Sequence, residues 1–166
     1  ASPCNGRPCG DKGRPAQAGH PGYRGVLMPL VLDAPQRVAD WVGAECGMPA
    51  PSVDAAIGYE SNGELTAGVY FDGMLPNTVF AHIASVATVM PKGLLGATCR
   101  YAFRQLGVER ITFMVSDLNF QAVDFVVRLG ATQEARLCRA FGRHDALIYT
   151  FWSSCRWAHR LIGAKA

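Results

Sequence analysis

Residues 109–152, ERITFMVSDLNFQAVDFVVRLGATQEARLCRAFGRHDALIYTFW, decide how this chain folds. Residues 109–115 read as a strand, rich in β-branched and aromatic residues. Asn119 then opens a helix, because asparagine is among the best N-caps, and the helix closes at Leu129-Gly130, where glycine stops it. Two further hydrophobic segments, 132–141 and 144–152, return the chain to a sheet. This succession can splay two parallel strands and leave room between them for a ligand.

The rest of the chain is laid out around that stretch. Residues 26–32 are an apolar run of strand length. Asp33 stands where an N-cap would, Pro35 falls in the first helical turn, and Val38, Trp41, Val42 and Cys46 recur at helical spacing. Gly and Pro between positions 47 and 51 break that helix. Residues 53–60 and 64–71 are two strands joined through Ser61-Asn62-Gly63, whose Asn-Gly pair signals a hairpin. A turn over 72–77 leads to a strand at 78–86. Pro91 starts a helix that runs to about Leu106 and ends at Gly107. The last segment, 153–162, is amphipathic and carries Arg156, Trp157 and Arg160. The predicted order is β-α-β-β-β-α-β-α-β-β. Hairpins in the first half and crossover helices in the second imply a mixed α/β (α+β) sheet with helices on both faces.

At 166 residues the chain is expected to form one domain able to bury a core, and its 49% hydrophobic and 17% charged residues suit a compact fold. Three segments are expected: a Gly/Pro-rich arm over 1–25, a folded domain over 26–152 and an amphipathic extension over 153–166. The arm carries Arg7, Lys12, Arg14 and Arg24 and almost nothing apolar, so alone it cannot offset the entropy of ordering it. A partner chain or assembly is the simplest means of holding it. No secretory leader is read in this stretch, and no apolar run reaches the length of a bilayer span. A cytoplasmic setting with reduced thiols follows as the expectation for Cys4, Cys9, Cys46, Cys99, Cys138 and Cys155. The last four fall singly in predicted elements, where cysteine behaves as a small buried hydrophobe. Cys4, Cys9 and His20 offer three ligand types for zinc, but their spacing is not that of the familiar fingers and no fourth ligand stands near, so no metal is expected. The net charge of +3 permits contact with phosphates yet lacks the concentrated basic face of a nucleic-acid binder. Whether Arg136, Arg139, Arg143, Arg156 and Arg160 gather on one side is open at this level.

Several short stretches carry a family resemblance. They are 55–60 with 63–68, Tyr101-Ala-Phe-Arg-Gln-Leu-Gly107, Arg110-Ile111-Thr112, Asn119 with Ala122, Leu129-Gly130, Glu134-Ala-Arg136-Leu137, 145–149 and Cys155-Arg156-Trp157. In order and spacing they resemble the GNAT (Gcn5-related N-acetyltransferase) superfamily over residues 26–152, and most closely the small GNAT-like proteins of bacteriophages. The resemblance implies a fold in which the fourth and fifth strands diverge around an acyl-CoA, here acetyl-CoA. Its pantetheine would pair with backbone of the strand ending at Ser85 and Val86. Its pyrophosphate would rest on Lys92, Gly93, Leu94, Leu95 and Gly96, where a helix start offers unpaired N–H groups and a positive dipole end. Asn119 would sit at the mouth of the splay, although a plain N-cap accounts for it equally.

Two departures stand out. The family's phosphate loop usually reads Gln/Arg-x-x-Gly-x-Gly/Ala, whereas Met90-Pro-Lys-Gly-Leu-Leu-Gly-Ala97 keeps glycines without that pattern. The position where many members carry a thiolate-protonating tyrosine falls on Phe125, which has no proton to give. A base is still required, since an amine must be neutral to attack a thioester. The candidates are Glu60 at a strand end and His82, which strand alternation puts on one face with Phe80, Ala84 and Val86. For each, the plainer reading is a solvated strand-end residue and a packed histidine. His144 and Asp145, adjacent on a strand, point to opposite faces and read as turn residues. Tyr101, Phe103 and Leu106 read as core-facing, and Arg100, Arg104 and Arg128 as exposed.

Three functions fit this reading. The first is an N-acyltransferase moving an acetyl group from acetyl-CoA to an amine acceptor, in the host cytoplasm if the gene is bacteriophage-borne. The second is a non-catalytic structural protein on the same scaffold, such as a virion component held by its arm. The third is a DNA-base-modifying enzyme, which the mild charge disfavours. Acceptor choice in this fold rests with the regions 35–51 and 141–145, and neither names a substrate.

Overall fold

A computed structural model describes residues 30–163. The expected arm at 1–25, with Cys4, Cys9 and His20, most of the predicted strand 26–32 and the last three residues lie outside the described residues. Seven strands form one mixed sheet: β1 (Leu30–Val31), β2 (Ala56–Ser61), β3 (Glu64–Leu75), β4 (Thr78–Ser85), β5 (Arg110–Ser116), β6 (Thr132–Phe141) and β7 (His144–Trp152), in the spatial order β1-β2-β3-β4-β5-β7-β6. The helices are α1 (Pro35–Glu45), α2 (Lys92–Arg100), α3 (Phe120–Leu129) and α4 (Arg156–Gly163). Every strand and helix expected within the described residues is present.

Two layers of apolar packing flank the sheet. On one face α1 buries Val38, Ala39 and Val42 against Ala56, Tyr70 and Ala84. This helix can lie close because β2 and β3 present glycines beneath it. A Cβ on Gly68 would stand 2.8 Å from Val42 Cγ2, and one on Gly58 2.8 Å from Val38 Cγ2. On the other face α2, α3 and α4 cover the larger core, which includes Leu94, Cys99, Val126 and Ala158 with Ile57, Val69, Ile111 and Phe151 of the sheet. Tyr101, Phe103 and Leu106 pack against that core, as their spacing suggested. No helix among the described residues is long and apolar enough to cross a membrane.

Local chemistry sets most element ends, and several boundaries differ from expectation. The N-cap of α1 is Ala34 rather than Asp33, and no side chain caps it; Pro35 occupies the first helical position, where its missing N–H costs nothing. The first hairpin strand begins at Ala56 rather than 53. β3 runs through the expected turn at 72–77 as far as Leu75, with a register irregularity after Asp72 and Gly73 at φ 52. The helix expected to reach Leu106 is α-helical only to Arg100 and continues as a π-helical turn, Tyr101–Gln105. α3 keeps the predicted ends. Asn119 Oδ1 accepts a hydrogen bond from Ala122 N at 3.0 Å, and Gly130 closes the helix at φ 94.

Cysteine burial is mixed. Cys99 is buried, and burial above all pushes its thiol up to about 12, with Arg100 opposing and Cys155 adding to the rise. Cys46 and Cys138 are exposed, contrary to the expectation that every cysteine in an element is a core residue. Cys46 closes α1 rather than packing inside it, and Cys138 lies on β6, an edge strand exposed almost throughout.

Candidate active site

The seam between β4 and β5 is where the sheet opens. The two strands are parallel and pair only at Thr78–Arg110, Val79–Ile111 and Phe80–Thr112. Beyond that rung β4 continues to Ser85 and β5 to Ser116 with no pairing between them. Each keeps its outer partner: β4 stays on β3 through Ser85, and β5 stays on β7 through Ser116. The facing backbone edges of the two strand ends therefore lack each other as partners in the middle of the sheet, away from its outer edges at β1 and β6. Ser85 Oγ accepts from Ala87 N at 3.2 Å and Ser116 Oγ from Leu118 N at 3.3 Å. Each strand thus ends in a turn stabilised by its own side chain.

Because β4 and β5 are parallel, their open ends share one edge of the sheet. Val86, Val89, Leu118 and Phe120 follow those ends and are exposed, giving the opening an apolar rim. Ser116, Leu118, Asn119, Phe120 and Gln121 line a depression of about 470 Å³ there. The first turn of α2 follows the same end of β4. No side chain caps it, so the N–H groups of Lys92, Gly93 and Leu94 are without a capping partner, and a Cβ on Gly93 would meet nothing within 4 Å. The Lys92 side chain is exposed.

Cross-strand partners share a face, so Phe80, His82, Tyr70 and Asp72 all project on the α1 side. His82 is the first residue on that face beyond the last β4–β5 rung. Its Nε2 lies 3.0 Å from Asp72 Oδ1, and its ring stacks on Tyr70 with centroids 4.4 Å apart and planes 10° from parallel. The His82 side chain keeps 17% exposure and Asp72 34%. Burial first, then the Asp72 carboxylate and Cys46, push the Tyr70 phenol above its ordinary range. Glu60, the other candidate base, instead pairs with Arg37 of α1 at 2.8 Å.

The sequence matches no protein-family model and no curated protein. Solved structures do match. Mutant forms of the spermidine/spermine N-acetyltransferase SpeG of Vibrio cholerae align over 64% of this chain and 70% of their own at 17% identity and TM-score 0.56. A chimera of that enzyme and hSSAT aligns over 64% and 71% at 19% identity and TM-score 0.55. The Vibrio cholerae spermidine N-acetyltransferase in complex with CoA and spermine aligns over 60% and 66% at 17% identity and TM-score 0.54. The fold is that of the GNAT acetyltransferases.

Within the GNAT fold, the residues expected from the sequence fall into three groups. His82, Ser85, Val86, Lys92, Gly93 and Asn119 lie along the fork or its rim. Leu94 is fully buried, Leu95 is half-buried, and Gly96 lies beneath α4, where a Cβ would stand 3.0 Å from Leu161 O. The second glycine of the expected phosphate loop thus lets two helices approach. Phe125 is half-buried against the larger core. The arginine cluster does not gather. Arg136 pairs with Asp145 at 2.5 Å and Asp117 at 3.1 Å beside the open edge, whereas Arg156 and Arg160 stack on Trp157 of α4. Asp145, expected to be a turn residue, is the partner that holds Arg136.

Asp72 and Tyr70 were not singled out from the sequence. The expected turn at 72–77 removed Asp72 from the strand. The available signal was alternation: continued past Phe71, it puts Tyr70 and Asp72 on one face of a strand hairpinned to the one that carries His82.

Proposed function

We propose that this protein is an acyl-CoA-dependent N-acyltransferase that moves an acetyl group from acetyl-CoA to an amine. The observation that carries the reading is the fork: two parallel central strands that stop pairing after Phe80 and Thr112 while each continues along its outer partner. The CoA and spermine held by a protein of like fold support a CoA donor and an amine acceptor.

Backbone groups of Ser85 and Val86 would pair with the pantetheine, as an extra strand does at a free edge. The uncapped N–H groups at Lys92, Gly93 and Leu94, together with the helix dipole and the Lys92 ammonium, suit the pyrophosphate. Bound acetyl-CoA supplies a thioester carbonyl; the amine nitrogen forms the new C–N bond as the C–S bond breaks. His82 takes the proton that the ammonium form of the acceptor must lose. The nitrogen sheds its second proton to solvent as the amide forms, and because Phe125 has no proton to give, the departing thiolate takes one from solvent water.

Isothermal titration of the protein with acetyl-CoA tests the proposal. Saturable heat is expected, with free thiol released once an amine is added. Absence of heat at high protein concentration would remove the transferase reading. It would leave the alternative of a structural protein, such as a bacteriophage particle component, on the same scaffold.

A further inference from the structure

We infer that Asp72 is a positioning residue that fixes the imidazole of His82 in one tautomer and leaves Nδ1 as the atom that accepts the substrate proton. The inference rests on the acyltransferase reading above for the proton's source, and on this structure alone for the tautomer.

An ionised carboxylate has no proton, so the contact of 3.0 Å between Asp72 Oδ1 and His82 Nε2 requires the ring to donate. With its proton on Nε2, a neutral imidazole carries its remaining lone pair on Nδ1. Among the described residues no group bonds Nδ1. Two features hold this arrangement. The Tyr70 ring lies nearly parallel to the imidazole at 4.4 Å and is itself 2% exposed. A ring turned over within that stack would present Cε1 to Asp72 and lose the hydrogen bond. The second is the irregularity of β3 after Asp72, where Gly73 takes φ 52 and a Cβ would stand 2.9 Å from the Phe80 ring. Departures of this kind re-aim a neighbouring side chain, here a carboxylate toward the imidazole.

The arrangement has a chemical consequence. When Nδ1 gains the proton of the incoming ammonium, the ring becomes a cation beside the Asp72 carboxylate, which stabilises it where it forms. No proton passes to Asp72. The imidazolium later returns its proton to solvent water, and the group is restored.

Two measurements decide the matter. The first is nitrogen-detected NMR of His82 in the unliganded wild-type protein, which reads the tautomer without any substrate. Protonated Nε2 and unprotonated Nδ1 are expected; a proton on Nδ1 with a bare Nε2 would overturn the inference even if the enzyme turns over. The second is a double-mutant cycle in kcat with acetyl-CoA and an accepted amine. Asp72→Asn should lower kcat by about 10²-fold, within the usual range for loss of a working general base, and leave the KM for acetyl-CoA within about twofold. In the His82→Ala background the same change should do almost nothing. An equal fall in both backgrounds, or no fall in the single variant, would sink the role. If the wild-type protein neither binds acetyl-CoA nor turns over, the acyltransferase reading fails while the NMR result still judges the Asp72–His82 contact.

Discussion

The two ends of the β4–β5 seam make the most useful comparison in this molecule. At the closed end, Thr78, Val79 and Phe80 pair with Arg110, Ile111 and Thr112, and the hydroxyls of Thr78 and Thr112 meet at 2.9 Å in the interior. At the open end the same strands part, their serines bond their own following turns, and exposed Val86, Val89, Leu118 and Phe120 form the rim. Fully buried side chains hold the first; the second is built from capped ends and unpaired edges. Stability and chemistry are thus separated along one strand pair by a few residues, so substitutions at the two ends should be separable in their effects.

The largest effect is expected at the closed end. Ile111→Ala empties a position that is 1% exposed in the larger core and should lower unfolding stability by about 2–5 kcal/mol in urea denaturation. A loss below about 1 kcal/mol would mean that the paired rungs are not what joins the halves of the sheet.

At the open end the effect should be smaller and of a different kind. Asn119→Ala removes the cap on Ala122 N and should lower stability by about 1 kcal/mol, with affinity for acetyl-CoA unchanged by calorimetry. A marked loss of affinity at unchanged stability would transfer Asn119 from helix cap to ligand contact and sharpen where the rim begins.

The smallest effect concerns the ion pairs that brace this edge. Arg136 joins Asp117 to Asp145, and Asp145 also accepts the Arg139 N–H at 2.8 Å. The Arg139 backbone bond first, then Arg136, holds the Asp145 carboxyl below the usual carboxylate range. A depressed folded pKa stabilises most above the unfolded value of about 3.9, and that contribution is lost as pH falls through the folded value. Asp145→Asn should therefore lower stability slightly near neutral pH, leave it nearly unchanged at low pH and so flatten the acid side of the profile, as thermal melts from about pH 6 downward would show. An unaltered acid slope would separate this brace from the folded edge.

Much of this architecture was legible in the residues because its causes are local. The Asn-Gly pair in Ser61-Asn62-Gly63, the Asn119 cap and the Gly130 stop act within a turn of themselves, and the corresponding hairpin and helix stand where they were expected. Local preference is overridden where a neighbour from a distant segment intervenes. Asp72–Leu75 reads as a turn because Asp and Gly favour turns, yet pairing with β4 carries the strand through it. The residues around Gly96 give no sign that its missing side chain makes room for Leu161 O. Glu60 reads as a free strand-end carboxylate, yet α1 brings Arg37 to it. Nothing in the sequence near either position announces those partners.

The succession of strands and helices, their polar and apolar faces and many of their ends follow from the residues alone, since periodicity and capping are properties of a few consecutive residues. Only the tertiary structure decided that β4 and β5 pair for three rungs and then part, and that His82 meets Asp72 and Tyr70. Those outcomes depend on strand register and on which helix covers which face, set by packing among segments far apart in the chain.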